Sequence, residues 1–167
     1  MEKIVIEKPS TEDLGEIGEI LGQWTESEEV YKYLERIKDE IAGKTEFNMC
    51  FFVARIDEKI FGIAGLADPL PKVLPFAKTE NPGEIKILYV DKNSRRQGIG
   101  QALVKFIENE AKEKGYTELL IRSAAKYEET AYGFYKKMGY GKAGVLQREI
   151  ISNKMQVFAK IFSKKHN

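Results

Sequence analysis

Arg95-Arg96-Gln97-Gly98-Ile99-Gly100 is a basic stretch of the chain that contains two closely spaced glycines. It lies between an apolar run that ends at Val90 and a periodic segment that begins near Ile99. Glycine has no Cβ, so the backbone at Gly98 and Gly100 can approach a ligand closely. The first amides of a helix have no partner inside it, and arginines donate charge-assisted hydrogen bonds. The stretch therefore predicts a phosphate-binding turn at the start of a helix.

The residues around the turn exclude two common nucleotide motifs. A P-loop has Lys-Ser or Lys-Thr after its second glycine, whereas Gly100 is followed by Gln101-Ala102. A dinucleotide fingerprint has a third glycine or an alanine where this chain has Leu103. Two interpretations remain at this point, a turn for another phosphate ligand and a basic turn that binds nothing.

Composition limits the functional class. The 167 residues predict one domain, residues 1–162, followed by a polar tail, residues 163–167. The net charge of +1, from 27 basic and 26 acidic residues, argues against a nucleic-acid partner. No apolar run approaches the roughly 20 residues that span a bilayer, and the N-terminus does not resemble a signal peptide, so we expect no membrane partner. One cysteine favours a cytoplasmic location.

The single histidine, His166, lies in the polar tail. Catalytic triads that use histidine and histidine metal clusters are therefore not expected, and we predict no metal site. A general base must be a carboxylate, a tyrosine or a chain of waters.

Periodicity predicts the order β-α-α-β-β-β-α-β-α-β-β, which is an α/β (α+β) arrangement with helices on both faces of one mixed sheet. Strands are predicted at 4–6, 49–56, 59–66, 84–90, 119–121, 145–151 and 155–162. The first helix has an apolar face from Leu14 to Trp24, the second follows Ser27 with a stripe that ends at Ile41, the third starts near Ile99 and ends at Gly115, and the last carries Ala131 to Met138 and stops at Gly139. Four of the five prolines fall in residues 68–83, which we interpret as a long loop, functional or disordered.

Two motifs together resemble a known family. Arg-x-x-Gly-x-Gly follows Leu88-Tyr89-Val90, and Ala131-x-x-Phe134-Tyr135-x-x-x-Gly139-Tyr140 follows later. This pair is similar to the signature of the GNAT N-acetyltransferases. The resemblance implies the acyl-CoA N-acyltransferase fold, with a mostly antiparallel sheet of about seven strands. It also implies an acyltransferase that moves an acetyl group from acetyl-CoA to a primary amine by direct attack in a ternary complex.

The resemblance also implies the site residues. Acetyl-CoA would bind the backbone of the strand end and the turn, through Leu88, Tyr89, Val90, Arg95, Arg96, Gln97, Gly98, Ile99, Gly100 and Gln101. Tyr135 would stabilise the departing thiolate, with Tyr132 as the nearest substitute. Tyrosine and thiol have ordinary pKa values near 10 and 8.5, so full proton transfer to the thiolate needs a lowered tyrosine pKa. A core tyrosine is the alternative.

Glu84 is the candidate base, acting through water. A lysine-like amine has a pKa near 10.4, so only about one in a few thousand is neutral at pH 7. Strand alternation places Glu84 and Lys86 on one side, and the resemblance implies a base at position 84. A solvated acid at the start of a strand is the alternative.

Two positions depart from the family pattern, and the acceptor stays open. Glu128 stands where many members have asparagine, and Leu120 stands where relatives that acetylate protein N-termini have glutamate. We therefore favour a small-molecule amine, polyamine-like or amino-acid-like. The alternatives are a peptide amine, held under the proline-rich loop, and a non-catalytic acyl-CoA sensor. A homodimer is compatible with the sequence.

Overall fold

A computed structural model of the chain describes residues 3–94, 97–147 and 154–162. Strands β1 to β7 span Val5–Glu7, Cys50–Ile56, Lys59–Ala67, Pro82–Val90, Glu118–Ala124, Gly141–Gln147 and Lys154–Ile161. Helices α1 to α4 span Leu14–Trp24, Ser27–Ile41, Ile99–Glu113 and Tyr132–Lys137. The predicted order of elements is confirmed. Residues 148–151, the end of a predicted strand, lie outside the described residues.

The seven strands form one sheet in the order β1-β2-β3-β4-β5-β7-β6. Strands β4 and β5 run parallel, with pairs from Pro82↔Glu118 to Ile85↔Ile121. The pairs β1–β2, β2–β3, β5–β7 and β6–β7 are antiparallel. The predicted mixed, mostly antiparallel sheet is confirmed. Its register sets Glu84 beside Leu120.

The chain divides into two compact units, and the first comprises residues 1–67 and 87–107. Here α1 and α2 pack on a buried cluster that includes Phe51 and Val53 of β2. Phe106 of α3 instead contacts Phe52, with ring centroids 4.9 Å apart. Because successive side chains of a strand point to opposite faces, helices cover both faces of β2, as predicted.

The second unit comprises residues 68–86 and 108–167. Phe158 of β7 is fully buried and packs against two tyrosine rings of α4, those of Tyr132 and Tyr135, at 5.1 and 5.3 Å. A second buried cluster joins Leu120 of β5 and Val157 of β7. In this unit, side chains of β5 and β7 are therefore packed in a buried core.

Candidate active site

The glycine turn leads directly into α3. Gly98 has φ +78°, a conformation that residues with a side chain rarely adopt, and its carbonyl accepts a hydrogen bond from Ala102 N at 3.0 Å. A Cβ added at Gly98 would meet no atom within 4 Å, so the space beside the turn is open. The first amides of α3 have no partner inside the helix, and the helix dipole favours an anion there. The turn therefore fits a phosphate group.

The start of α3 and the end of β4 both pack against Gly62, which lies inside β3. A Cβ added at Gly62 would lie 2.8 Å from Leu103 Cδ1, 3.1 Å from Ile99 Cγ2 and 3.4 Å from the Tyr89 carbonyl oxygen. Only glycine allows this approach, so β3 brings the end of β4 and the start of α3 together. Ile99 is buried at this contact.

Helix α1 holds the end of β4 through Trp24. The indole Nε1 donates a hydrogen bond to the Val90 carbonyl at 2.8 Å, and the ring stacks on Tyr89 at 6.4 Å between centroids. Lys92 Nζ lies 4.6 Å from the centre of the indole ring. One of the two lone pairs of the Val90 carbonyl is therefore already used by the protein.

Gln23 and Asp91 complete this arrangement. Gln23 Nε2 donates to Asp91 Oδ1 at 2.9 Å, and Gln23 Oε1 accepts from Lys92 N at 2.8 Å. Burial raises the pKa of Asp91, but its hydrogen bonds, chiefly those from Gln23 and Ser94, and a nearby lysine charge together outweigh it, so the pKa of Asp91 is lowered. We call Gln23, Trp24 and Asp91 the clasp, because together they fix the segment between β4 and the turn.

Glu84 lies in a buried cluster with two cations. Its side chain is 0% exposed; Oε1 accepts from Arg122 Nε at 2.9 Å, and Oε2 accepts from Lys86 Nζ. The pairing with Lys86 confirms that both side chains point to one side of β4. The alternative of a solvated acid is wrong. The role of Glu84 as a base stays a prediction, because each oxygen already accepts a hydrogen bond from a cation.

Tyr135 and Tyr132 differ in what their hydroxyls contact. Both side chains are buried. The Tyr132 hydroxyl donates to the Ser123 carbonyl at 3.1 Å, whereas no described residue hydrogen-bonds to the Tyr135 hydroxyl. Burial raises the pKa of Tyr135 above its ordinary value, so the lowered pKa that full proton transfer would need is not found. Tyr135 is therefore a neutral donor whose hydroxyl has no partner among the described residues.

A hydrogen-bonded network holds the end of α4. The Tyr140 hydroxyl donates to Glu108 Oε2 at 2.8 Å, and Lys160 Nζ donates to the same oxygen at 3.0 Å and to the Met138 carbonyl at 2.9 Å. Burial, and then the nearby Glu108 carboxylate, raise the pKa of Tyr140. The centroids of the Tyr135 and Tyr140 rings lie 6.5 Å apart. The network therefore fixes a ring that lies next to Tyr135.

The proline-rich loop is ordered, and we call residues 68–81 the strap. Val73 is fully buried and packs with Leu120 and Val157. Oε1 of the buried Glu118 accepts hydrogen bonds from the backbone amides of Lys78 and Thr79, at 2.8 and 2.7 Å. Its other oxygen, Oε2, has no hydrogen-bond partner in the part of the chain that the structure describes. A buried carboxylate thus fastens the strap to β5.

Within the described ranges, no helix is long and apolar enough to cross a bilayer. In the same part of the chain, no group of three or more His, Cys, Asp and Glu side chains could hold a metal ion.

The model of the acetyltransferase (GNAT) family matches residues 16–140. The chain belongs to this family. The predicted family is thereby confirmed. Human N-acetyltransferase 8 is 34% identical over 100 residues, which cover 60% of this chain and 42% of that protein. The chain thus spans less than half the length of that relative.

Solved structures of the family share the fold at low identity. Ard1 from Thermoplasma volcanium superposes with a TM-score of 0.74 at 18% identity, over 96% of this chain and 99% of that one. PaiA N-acetyltransferase from Thermoplasma acidophilum, solved in complex with coenzyme A, has a TM-score of 0.66 at 19% identity, with the same coverage. The predicted fold class is confirmed.

The structure gives most predicted site residues a place. Eight of these residues lie in the first unit. They are Leu88, Tyr89 and Val90 at the end of β4, Gln97 and Gly98 in the turn before α3, and Ile99, Gly100 and Gln101 at the start of α3. Arg95 and Arg96 lie outside the described residues. Glu84 and Tyr135 belong to the second unit, each in its own cluster. The roles of all these residues stay predictions.

Sequence reasoning missed the clasp, the contact of Arg122 with Glu84, and Glu118. Trp24 is the one tryptophan of the chain and ends a predicted helix, which is a signal for a specific contact. Arg122 gave a clearer signal, because it directly follows the apolar run 119–121 of a strand and a buried charge needs a partner.

Proposed function

We propose that this protein transfers an acetyl group from acetyl-CoA to the primary amine of a small molecule. The observation that carries the proposal is the open glycine turn at the start of α3. The start of this helix and the end of β4 both lie close to Gly62 of β3. The turn would hold the pyrophosphate through the first amides of α3. Backbone groups of Leu88, Tyr89 and Val90 would pair with the pantetheine arm.

When bound, acetyl-CoA supplies a thioester that the neutral amine attacks, with loss of the thiolate. The Tyr135 hydroxyl donates a hydrogen bond to the sulfur as negative charge grows there. Glu84 accepts the amine proton through water, using lone pairs that Lys86 and Arg122 leave free, since a carboxylate has about four. Glu84 then passes the amine proton to solvent, and the thiolate takes its proton from solvent because Tyr135 keeps its own, so one proton is lost and one is gained in each cycle.

Titration calorimetry with CoA and acetyl-CoA, followed by thiol release on a panel of amines, tests the proposal. We expect binding of both nucleotides and thiol release with at least one small amine. The background should be low, because the one cysteine of the chain, Cys50, is buried. Absence of CoA binding would overturn the proposal.

The same panel separates the alternatives. A peptide acetyltransferase would release thiol with peptides and not with free amines. A sensor would bind CoA and release no thiol with any acceptor. The sensor remains the second candidate, because both oxygens of Glu84 are engaged by cations.

A further inference from the structure

Arg122 combines a fixed arm with a free terminus. Its side chain is 16% exposed, and Nε donates to Glu84 Oε1 at 2.9 Å. No described residue accepts a hydrogen bond from its Nη1 or Nη2. Neither nitrogen is buried without a partner, so both remain accessible. The four N–H donors of the guanidinium terminus are thus available to a ligand.

The surroundings hold the Nε end of the Arg122 guanidinium in one place. Arg122 pairs across the sheet with Val157, and both Val157 and its neighbour Leu120 are 0% exposed. Glu84 is also 0% exposed and is held from its other oxygen by Lys86. A guanidinium fixed at Nε presents a planar pair of donors that matches the two oxygens of a carboxylate.

We infer that Arg122 binds a carboxylate of the acceptor, so that the substrate carries its amine and a carboxylate on one short scaffold. The inference rests on the proposed function, because it takes Glu84 as the base. A carboxylate bound at the Arg122 terminus keeps an amine on the adjacent carbon beside Glu84, which the same arginine contacts. The guanidinium repels a second ammonium, which disfavours polyamine-like acceptors.

Matched acceptors test the inference directly. Phenylalanine is compared with phenethylamine and phenylalaninamide, and lysine with cadaverine, by thiol release from acetyl-CoA. We expect kcat/KM for each amino acid to exceed that of its counterparts that lack the carboxylate by roughly 10- to 100-fold, which is the contribution of hydrogen bonds to a charged group.

Variants identify the residue. Arg122→Gln should abolish the preference, mainly by raising KM for the acids, while CoA binds as before; Arg122→Lys should keep part of it. Arg36→Gln is the matched control, because Arg36 lies on α2 over the Tyr33 ring and should leave the preference unchanged. If Arg122→Gln does not fold, the wild-type comparison and Arg122→Lys still decide.

Two outcomes overturn the inference alone: equal kcat/KM within each acceptor set, or a preference that survives in both Arg122 variants. A third result, CoA binding with no thiol release on any acceptor, overturns the proposed transferase function together with the inference. The failures of the two ideas are therefore distinguishable.

Discussion

At the scale of single residues, burial decides what Tyr135 can do. A raised pKa keeps the phenol neutral through the physiological range, so it always has a proton to share. The same shift makes complete transfer to a thiolate more unfavourable than between the free groups. Tyr135 is therefore suited to donate a hydrogen bond to the leaving sulfur.

Tyr135→Phe should lower kcat by roughly 100-fold, because removing one hydrogen-bond donor to the charge that grows in the transition state typically costs at least that factor. KM for acetyl-CoA should stay within about twofold, because only the hydroxyl is lost. Since the tyrosine pKa lies above its ordinary value of about 10, wild-type kcat should not fall through ionisation of Tyr135 below about pH 10. Steady-state kinetics across pH measure both effects.

Tyr140→Phe provides the control for this substitution. It removes another buried hydroxyl, whose partner is Glu108, and should cost about 1–2 kcal/mol of stability with little change in kcat. Unchanged kcat in Tyr135→Phe would show that Tyr135 is a core residue, the alternative considered from the sequence.

At the scale of elements, the clasp joins α1 to the end of β4. Residues 23 and 24 contact residues 90 to 92 through two side chains, and the contacts include three hydrogen bonds no longer than 2.9 Å. This segment leads into the glycine turn. Helix α1 therefore positions the strand end that we propose pairs with the cofactor.

Trp24→Phe keeps an aromatic ring on Tyr89 and removes the donor to the Val90 carbonyl. One hydrogen bond contributes about 1 kcal/mol, so the Kd for CoA should rise about fivefold. Tyr31→Phe is the control, because Tyr31 is 65% exposed on α2 and should bind CoA as the wild type does. Calorimetry measures both, and equal affinities for Trp24→Phe and wild type would exclude this role of the clasp.

Sequence patterns predict elements better than they predict contacts between elements. The first two helices could be predicted because apolar periodicity is a local property of the sequence. Strand β5 was predicted only at 119–121, since Glu118, Arg122 and Ser123 interrupt its apolar run. Those polar residues are accommodated by partners elsewhere, as when Glu84 binds Arg122. No spacing in the sequence reveals such pairs.

At the scale of the whole molecule, 27 basic and 26 acidic residues nearly balance at pH 7, and carboxylates that are paired in the folded state make stability depend on pH in acid. Two aspartates have lowered pKa values. Burial raises the pKa of Asp13, but the hydrogen bonds from Arg55 and Ser10 together with the charge of Arg55 outweigh it. In Asp91 the hydrogen bonds from Gln23, Ser94 and Asn93 and the charge of Lys59 together outweigh burial.

These two groups predict how the free energy of unfolding depends on pH. A folded pKa below the ordinary value of 3.8 contributes stability that is fully present above 3.8 and is lost as pH falls through the folded value. The free energy of unfolding should therefore change little down to about pH 5 and fall steeply below about pH 4. Urea unfolding at a series of pH values measures it.

Asp13→Asn and Asp91→Asn locate the source of that acid sensitivity. Each amide still offers one acceptor oxygen but has no charge to lose, so each variant should be less stable than wild type at neutral pH. Each should also lose less stability between about pH 5 and pH 3, because one of the titrating groups is gone. Unfolding curves of both variants that run parallel to the wild type through this range would assign the acid sensitivity to other carboxylates.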